Sequence, residues 1–300
     1  MIELKNLDKT FQDVHAIDHI SATIHDNLIF GLVGSNGAGK STLMRLISGI
    51  LKADAGSVLI DGQPVFENRD VKKGLCFLSD TPYFFPNATA GLMRDYYAMI
   101  YPQFNKKQFD SLAEKLGLSF TRKLNSFSKG MKKQVSILLG ICSGARYLLC
   151  DETFDGLDPV VRQAVKGLFA SELTQRDFTP IIASHNLREL EDICDSIGLL
   201  HNGKLLLTQD LDQIKCQVYK IQCVLPDEAL EQQLLQELDL LQYEKTGSLL
   251  LLTARGTKEG LLECVNHRHP VFAEVLPLTL EEIFISETEV AGYDIKNLLL

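Results

Sequence analysis

The 300-residue sequence has no tryptophan, no pair of cysteines spaced as CxxC, and no internal repeat or low-complexity segment. It also lacks any apolar run near the ~20 residues that a membrane span needs. The richest window, SILLGICSGARYLLC, is broken by Gly144 and Arg146. Basic excess is missing too: the formal net charge is −9, which argues against a general nucleic-acid binder, because phosphate-backbone affinity needs a basic surface. The N-terminus, MIELKNLDKTF, alternates polar and apolar and has no apolar signal-peptide core. The seven cysteines, Cys76, Cys142, Cys150, Cys194, Cys216, Cys223 and Cys264, mostly fall in apolar segments, where they read as small buried hydrophobes of a reducing compartment. A cytosolic chain that spans nothing is expected.

What is present is an ordinary globular composition, 45% hydrophobic and 23% charged, long enough for a large domain and a small one. Period-two patterns at IELKNL and HISATIH predict early antiparallel strands. LIFGLV (28–33) is a short apolar run that leads into helical KSTLMRLISGI, and SVLIDG returns as a strand. From Thr81 to about Gly140 helical patterns dominate and predict an insert. RYLLCDE and PIIASH read as buried strands flanking a helix with proline in its first turn. SIGLLHNGKLLLT reads as a hairpin around Asn202-Gly203. Alternating strands and helices predict a mainly parallel α/β core with a helical insertion. Past about residue 215 the order becomes βαββαβ plus a helix, which suggests a ferredoxin-like accessory domain with no evident chemical site.

GSNGAGKS, Gly34 to Ser41, fits G-x-x-x-x-G-K-[ST] directly after a strand and at the opening of a helix. In Gly34, Ser35, Asn36, Gly37, Ala38 and Gly39 the glycines let backbone N–H groups turn inward around an anion, and the helix N-terminus adds its positive end. Lys40 is placed for β- and γ-phosphates, Thr42 for the α-phosphate, and the Ser41 hydroxyl for Mg²⁺. A chance glycine turn would not also carry both flanking elements. LLCDE supplies the second half. Asp151, ending an apolar strand, faces the phosphate loop of a parallel sheet and can hold Mg²⁺ through water. Glu152 then stands where it can polarise a water attacking the γ-phosphate. Two consecutive acids ending a buried strand are costly unless they meet a cation.

Across residues 1 to about 215 this order of motifs resembles the ATP-binding subunits of ABC transporters. The resemblance implies a P-loop NTPase fold with an antiparallel β subdomain and helical insert (about 81–140), plus a small α+β C-terminal domain at 216–300. Where that family has its signature, usually LSGGQ, this chain has Phe127-Ser128-Lys129-Gly130-Met131. In the family that motif caps ATP held by the other subunit of a dimer, which implies that role for Ser128, Lys129, Gly130 and Met131. Lys129 and Met131 depart from the common form. The resemblance further implies that Phe11 stacks on adenine, that Asp158 in GLDP touches the partner subunit, and that His185 in ASHN contacts the γ-phosphate. Family members carry a glutamine after the strand GLCFLS. Here Asp80 stands, a shorter and charged group that either binds Mg²⁺ through water or withdraws from it. The aromatics Tyr83, Phe84, Phe85, Tyr96, Tyr97, Tyr101 and Phe104 fall where the family meets its membrane partner, and about half are expected in the insert's own core.

The expected function is therefore ATP hydrolysis with Mg²⁺ by a subunit that dimerises on ATP binding, as a homodimer or with a related ATPase. It would drive export through a separate permease from the inner face of the cell membrane, with no nucleic-acid partner. GLDPVVR and LTLEEIFI resemble subunits paired with exporter permeases. The rival is a soluble ABC-type ATPase acting on ribosomes or DNA, but those types carry two cassettes, long coiled coils or zinc modules. A kinase or GTPase with the same phosphate loop is a third class, and the signature and the histidine together argue against it.

Overall fold

The computed structural model describes residues 1–211, 213 and 217–290, apart from the side chains of 284 and 287–290. The chain divides into two compact units, Met1–Thr208 and Gln209–Leu300. The boundary expected near 215, and Cys216 with it, lie outside the described residues.

The first unit opens with antiparallel β1 (Ile2–Phe11) and β2 (Val14–Ile24), registered from Ile2 opposite Ile24 to Phe11 opposite Val14. Alternation puts Ile2, Leu4, Leu7, Ile17, Ile20 and Ile24 inward. The register slips between Leu4 and Thr10, and Asn6 and His19 take positive φ there, as bulged strands do. β3 (Phe30–Val33) leads through a loop to α1 (Lys40–Ile47). β4 (Ala55–Ile60) and β5 (Gln63–Pro64) complete a sheet of order β2-β1-β4-β5.

After α2 (Arg69–Lys72) and β6 (Leu75–Leu78) comes the helical insert: α3 (Ala90–Ile100), α4 (Lys106–Lys115) and α5 (Lys129–Cys142). Thr89, Asn105 and Ser128 cap these three helices by accepting backbone N–H bonds. β7 (Tyr147–Asp151), α6 (Pro159–Gln175), β8 (Thr179–Ser184), α7 (Leu187–Glu191), β9 (Ser196–His201) and β10 (Lys204–Asp210) follow. The second sheet runs β10-β9-β3-β8-β7-β6, with β9, β3, β8, β7 and β6 parallel. Asn202 and Gly203 both take positive φ in the β9–β10 turn, as that dipeptide predicts.

One apolar core joins strands of both sheets to Leu43, Met44, Leu46 and Ile47 of α1, fixing the helix whose first residue is Lys40. A second core belongs to the insert, around Met93, Phe109, Leu124, Phe127, Val135 and Leu138. Phe84, Phe85, Tyr96, Tyr97 and Phe104 pack against it, whereas Tyr83 is 77% exposed.

The second unit runs β11 (Val218–Val224), α8 (Glu228–Glu237), β12 (Asp239–Thr246), β13 (Leu249–Arg255), α9 (Lys258–Asn266), β14 (Phe272–Pro277) and α10 (Leu280–Val290). Its antiparallel sheet has the order β12-β13-β11-β14, and Ile221, Leu234, Leu252, Leu261 and Val275 form its core. Among the described residues no helix is long and apolar enough to cross a membrane.

Candidate nucleotide and catalytic site

The loop between β3 and α1 has no room for side chains at two places. A Cβ on Gly34 would lie 2.3 Å from the Leu200 carbonyl, and one on Gly39, whose φ is +106°, would lie 2.4 Å from that of Ala16. Glycine there lets the loop wrap tightly against β9 and β2. Inside the loop Ala38 N–H donates to the Ser35 carbonyl at 3.1 Å. Lys40, buried, folds back and donates to the carbonyls of Gly34 (2.7 Å) and Ser35 (3.1 Å). That brings its Nζ to the concave side, 3.4 Å from Glu152 Oε1.

β7 is buried along its whole length, so Asp151 arrives at the site without solvent. The Ser41 hydroxyl donates to its Oδ1 at 3.0 Å. Burial pushes the Asp151 carboxyl above the usual range, and the neighbouring Glu152 charge adds to this against the Ser41 bond. A hydroxyl and a buried carboxylate whose ionisation is disfavoured fit a hard divalent cation, which would restore the charged form.

Glu152 takes φ +50°, and its N–H donates to the Ala183 carbonyl at 3.0 Å. Its Oε2 lies 2.7 Å from His185 Nδ1, just past the end of β8, so the carboxylate bridges the histidine ring and Lys40. The three side chains come from three separate segments, and the parallel strands β3, β7 and β8 carry them to one end of the sheet.

They line a cleft of about 540 Å³ with Phe11, Asn36, Gly37, Gly39, Ser41, Thr42 and Asp80. Phe11, 44% exposed, has the Lys9 ammonium 5.3 Å from its ring centroid. The cleft also takes in Val14, Ala16 and Asp155, which the sequence motifs did not mark. Ser128, Lys129, Gly130, Met131 and Asp158 do not line it. Ser128 caps α5 by accepting from Met131 N–H at 3.2 Å, and Asp158 caps α6 by accepting from Val161 N–H at 3.0 Å. The Lys129 ammonium lies 3.9 Å from Asp155, and a Cβ on Gly130 would approach the Gly156 carbonyl at 3.3 Å, so this segment adjoins the cleft's rim. Asp80 accepts from Lys133 at 2.9 Å, and that ammonium holds the Asp80 carboxyl below its usual range. Lys133 was indistinguishable from its neighbouring lysines in the sequence.

The sequence profile of the family described as "ABC transporter" matches residues 17–155. The chain is 31% identical over 287 residues to the ABC transporter ATP-binding protein YtrB of Bacillus subtilis, covering 96% of this chain and 98% of YtrB. It is 32% identical over 218 residues to the bacitracin transport ATP-binding protein BcrA of Bacillus licheniformis, covering 72% of this chain and 71% of BcrA. A solved ATP-binding subunit of an ABC transporter superposes with TM-score 0.66 at 24% identity, over 72% of this chain and 92% of the other. That likeness supports the fold, a P-loop NTPase of the ABC ATPase type. With the near full-length match to YtrB, the chain belongs to the ATP-binding subunits of ABC transporters and is an ATPase.

Proposed function

We infer that this ATPase powers export through a separate membrane permease, and that Glu152 is the base of its hydrolytic step. The observation that carries the catalytic part is the Glu152 carboxylate, set between Lys40 Nζ and His185 Nδ1 at the mouth of the phosphate loop. Lys40 and the loop N–H groups bind the phosphates. Glu152 takes a proton from the attacking water, and His185 holds the carboxylate and faces the charge developing on the γ-phosphate. Mg²⁺, held by Ser41 and Asp151, would neutralise phosphate charge. Phe11 offers its exposed ring to adenine.

Ser128, Lys129, Gly130 and Met131 lie outside the chain's own cleft, which supports their use on nucleotide held by a second subunit, with Asp158 beside that junction. Exposed Tyr83, Leu92, Met99 and Ile100 on the insert give a permease an apolar surface to dock on, which would hold the subunit at the inner face of the membrane. Export is the direction suggested by the GLDPVVR and LTLEEIFI segments, which resemble subunits paired with exporter permeases.

Lys40→Ala should weaken ATP binding and abolish turnover. Glu152→Gln keeps the shape and loses the base, so phosphate release should fall by about 100-fold or more while ATP stays bound in a closed dimer. Sizing chromatography with ATP and Mg²⁺, beside a phosphate assay, reads both. A Glu152→Gln protein that stays monomeric and hydrolyses ATP at the wild-type rate overturns the assignment. Reconstitution with a multi-span permease that this subunit binds tests the direction of transport.

A further inference from the structure

Lys133 is fully buried, although it stands in a lysine-rich stretch at the start of α5. A buried ammonium is costly unless its donors are met. Its Nζ donates to two acceptors on separate segments, Asp80 Oδ1 at 2.9 Å and the Glu152 carbonyl at 2.6 Å. Asp80 stands two residues past the end of β6, and Glu152 one past the end of β7, so a single charge ties two adjacent parallel strands to α5.

The Glu152 backbone needs such a tie. Its φ of +50° is a left-handed conformation that a non-glycine residue keeps only where its surroundings hold it. Two hydrogen bonds flank the strained residue: its N–H donates to Ala183, and its carbonyl accepts from Lys133. Relaxation of that backbone would swing the carboxylate away from His185 and Lys40.

We propose that Lys133 is a positioning residue for ATP hydrolysis, its ammonium holding the Glu152 backbone so that the carboxylate meets His185 and Lys40, and that Asp80 acts through Lys133 and not as a metal ligand. This rests on Glu152 being the base. Geometry of this kind governs the chemical step more than nucleotide affinity, because no atom of Lys133 lines the cleft.

The test is steady-state hydrolysis by folded Lys133→Met, with Lys133→Gln, a neutral donor, covering the case in which the methionine variant does not fold. The kcat should fall by about 30-fold or more, while KM and the Kd of a fluorescent ATP analogue stay within about threefold. A purely structural lysine would lower the unfolding midpoint and leave the kcat of the folded protein unchanged. Adding Asp80→Ala to Lys133→Met should cost no more than about threefold further, since the carboxylate works only through the lysine. A kcat within about threefold of wild type in the folded Lys133 variants overturns the proposal. A further loss of about tenfold or more in the double variant overturns the role given to Asp80. Glu152→Gln and Lys40→Ala are assayed in parallel. If they hydrolyse ATP normally the catalytic reading itself fails, whereas inactive parallels beside active Lys133 variants sink only the lysine's role.

Discussion

Burial pushes the Cys76 thiol up to about 11, because a thiolate at this buried position of β6 would have almost no water around it. At pH 8 only about one molecule in a thousand would carry the reactive thiolate there, and the reagent would still have to reach it. Native protein treated with iodoacetamide at pH 8 should therefore leave Cys76 unmodified by mass spectrometry, and unfolding in urea should release it. Rapid native labelling would mean that β6 opens far more readily than its packing implies. The same contrast between chemical type and position separates the three lysines of the signature stretch. Lys129 is exposed, Lys132 is half-buried and Lys133 is fully buried. All three read alike in the sequence, because what decides the matter for Lys133 is two acceptors, 53 and 19 residues away in the chain.

Helix α5 has two demands on one residue, since Ser128 both caps it and stands where the signature is proposed to meet a nucleotide. The two separate by substitution. Ser128→Ala removes the cap and should cost about 1 kcal/mol of stability. Ser128→Asp keeps a capping oxygen and favours the helix N-terminus, but it puts a negative charge where a phosphate would approach. It should hold the wild-type urea midpoint and still lose hydrolysis. Full activity in the folded aspartate variant would confine Ser128 to capping. Elements of this kind were readable when their signals were local. The phosphate loop, the buried run of β7 and the Asn202-Gly203 turn each carry their signature within ten residues or so. α2 and α7, of four and five residues, are too short to show an apolar period and did not stand out. The meeting of Glu152 with His185 and Lys40 follows from strand order, which the motifs imply only through family resemblance. The ion pair of Asp80 with Lys133 is a tertiary contact that no spacing announces.

For the whole molecule, the question is whether one chain holds a complete site. The cleft contains Lys40, Glu152 and His185 but none of Ser128 to Met131, so a composite site would take its Lys40 from one subunit and its Ser128 from the other. A Lys40→Ala chain mixed with a Ser128→Arg chain gives heterodimers with one intact site and one doubly damaged site. In either homodimer both sites are damaged. If a single site can turn over, the mixture should release phosphate faster than either variant alone, with subunit exchange checked by tagged pull-down. The competing account is that Lys129 and Lys132 merely attract ATP to the surface, which predicts activity that falls with salt and no rescue on mixing. Absence of rescue despite exchange leaves obligatory coupling of the two sites as the other explanation. Wild type mixed with Ser128→Arg then decides. Under obligatory coupling the variant poisons its partner, and activity drops below the wild-type share present. With independent sites each heterodimer keeps one working site, so activity tracks the intact sites remaining. Activity that tracks them while the two-variant mixture shows no rescue would remove the signature stretch from the nucleotide site.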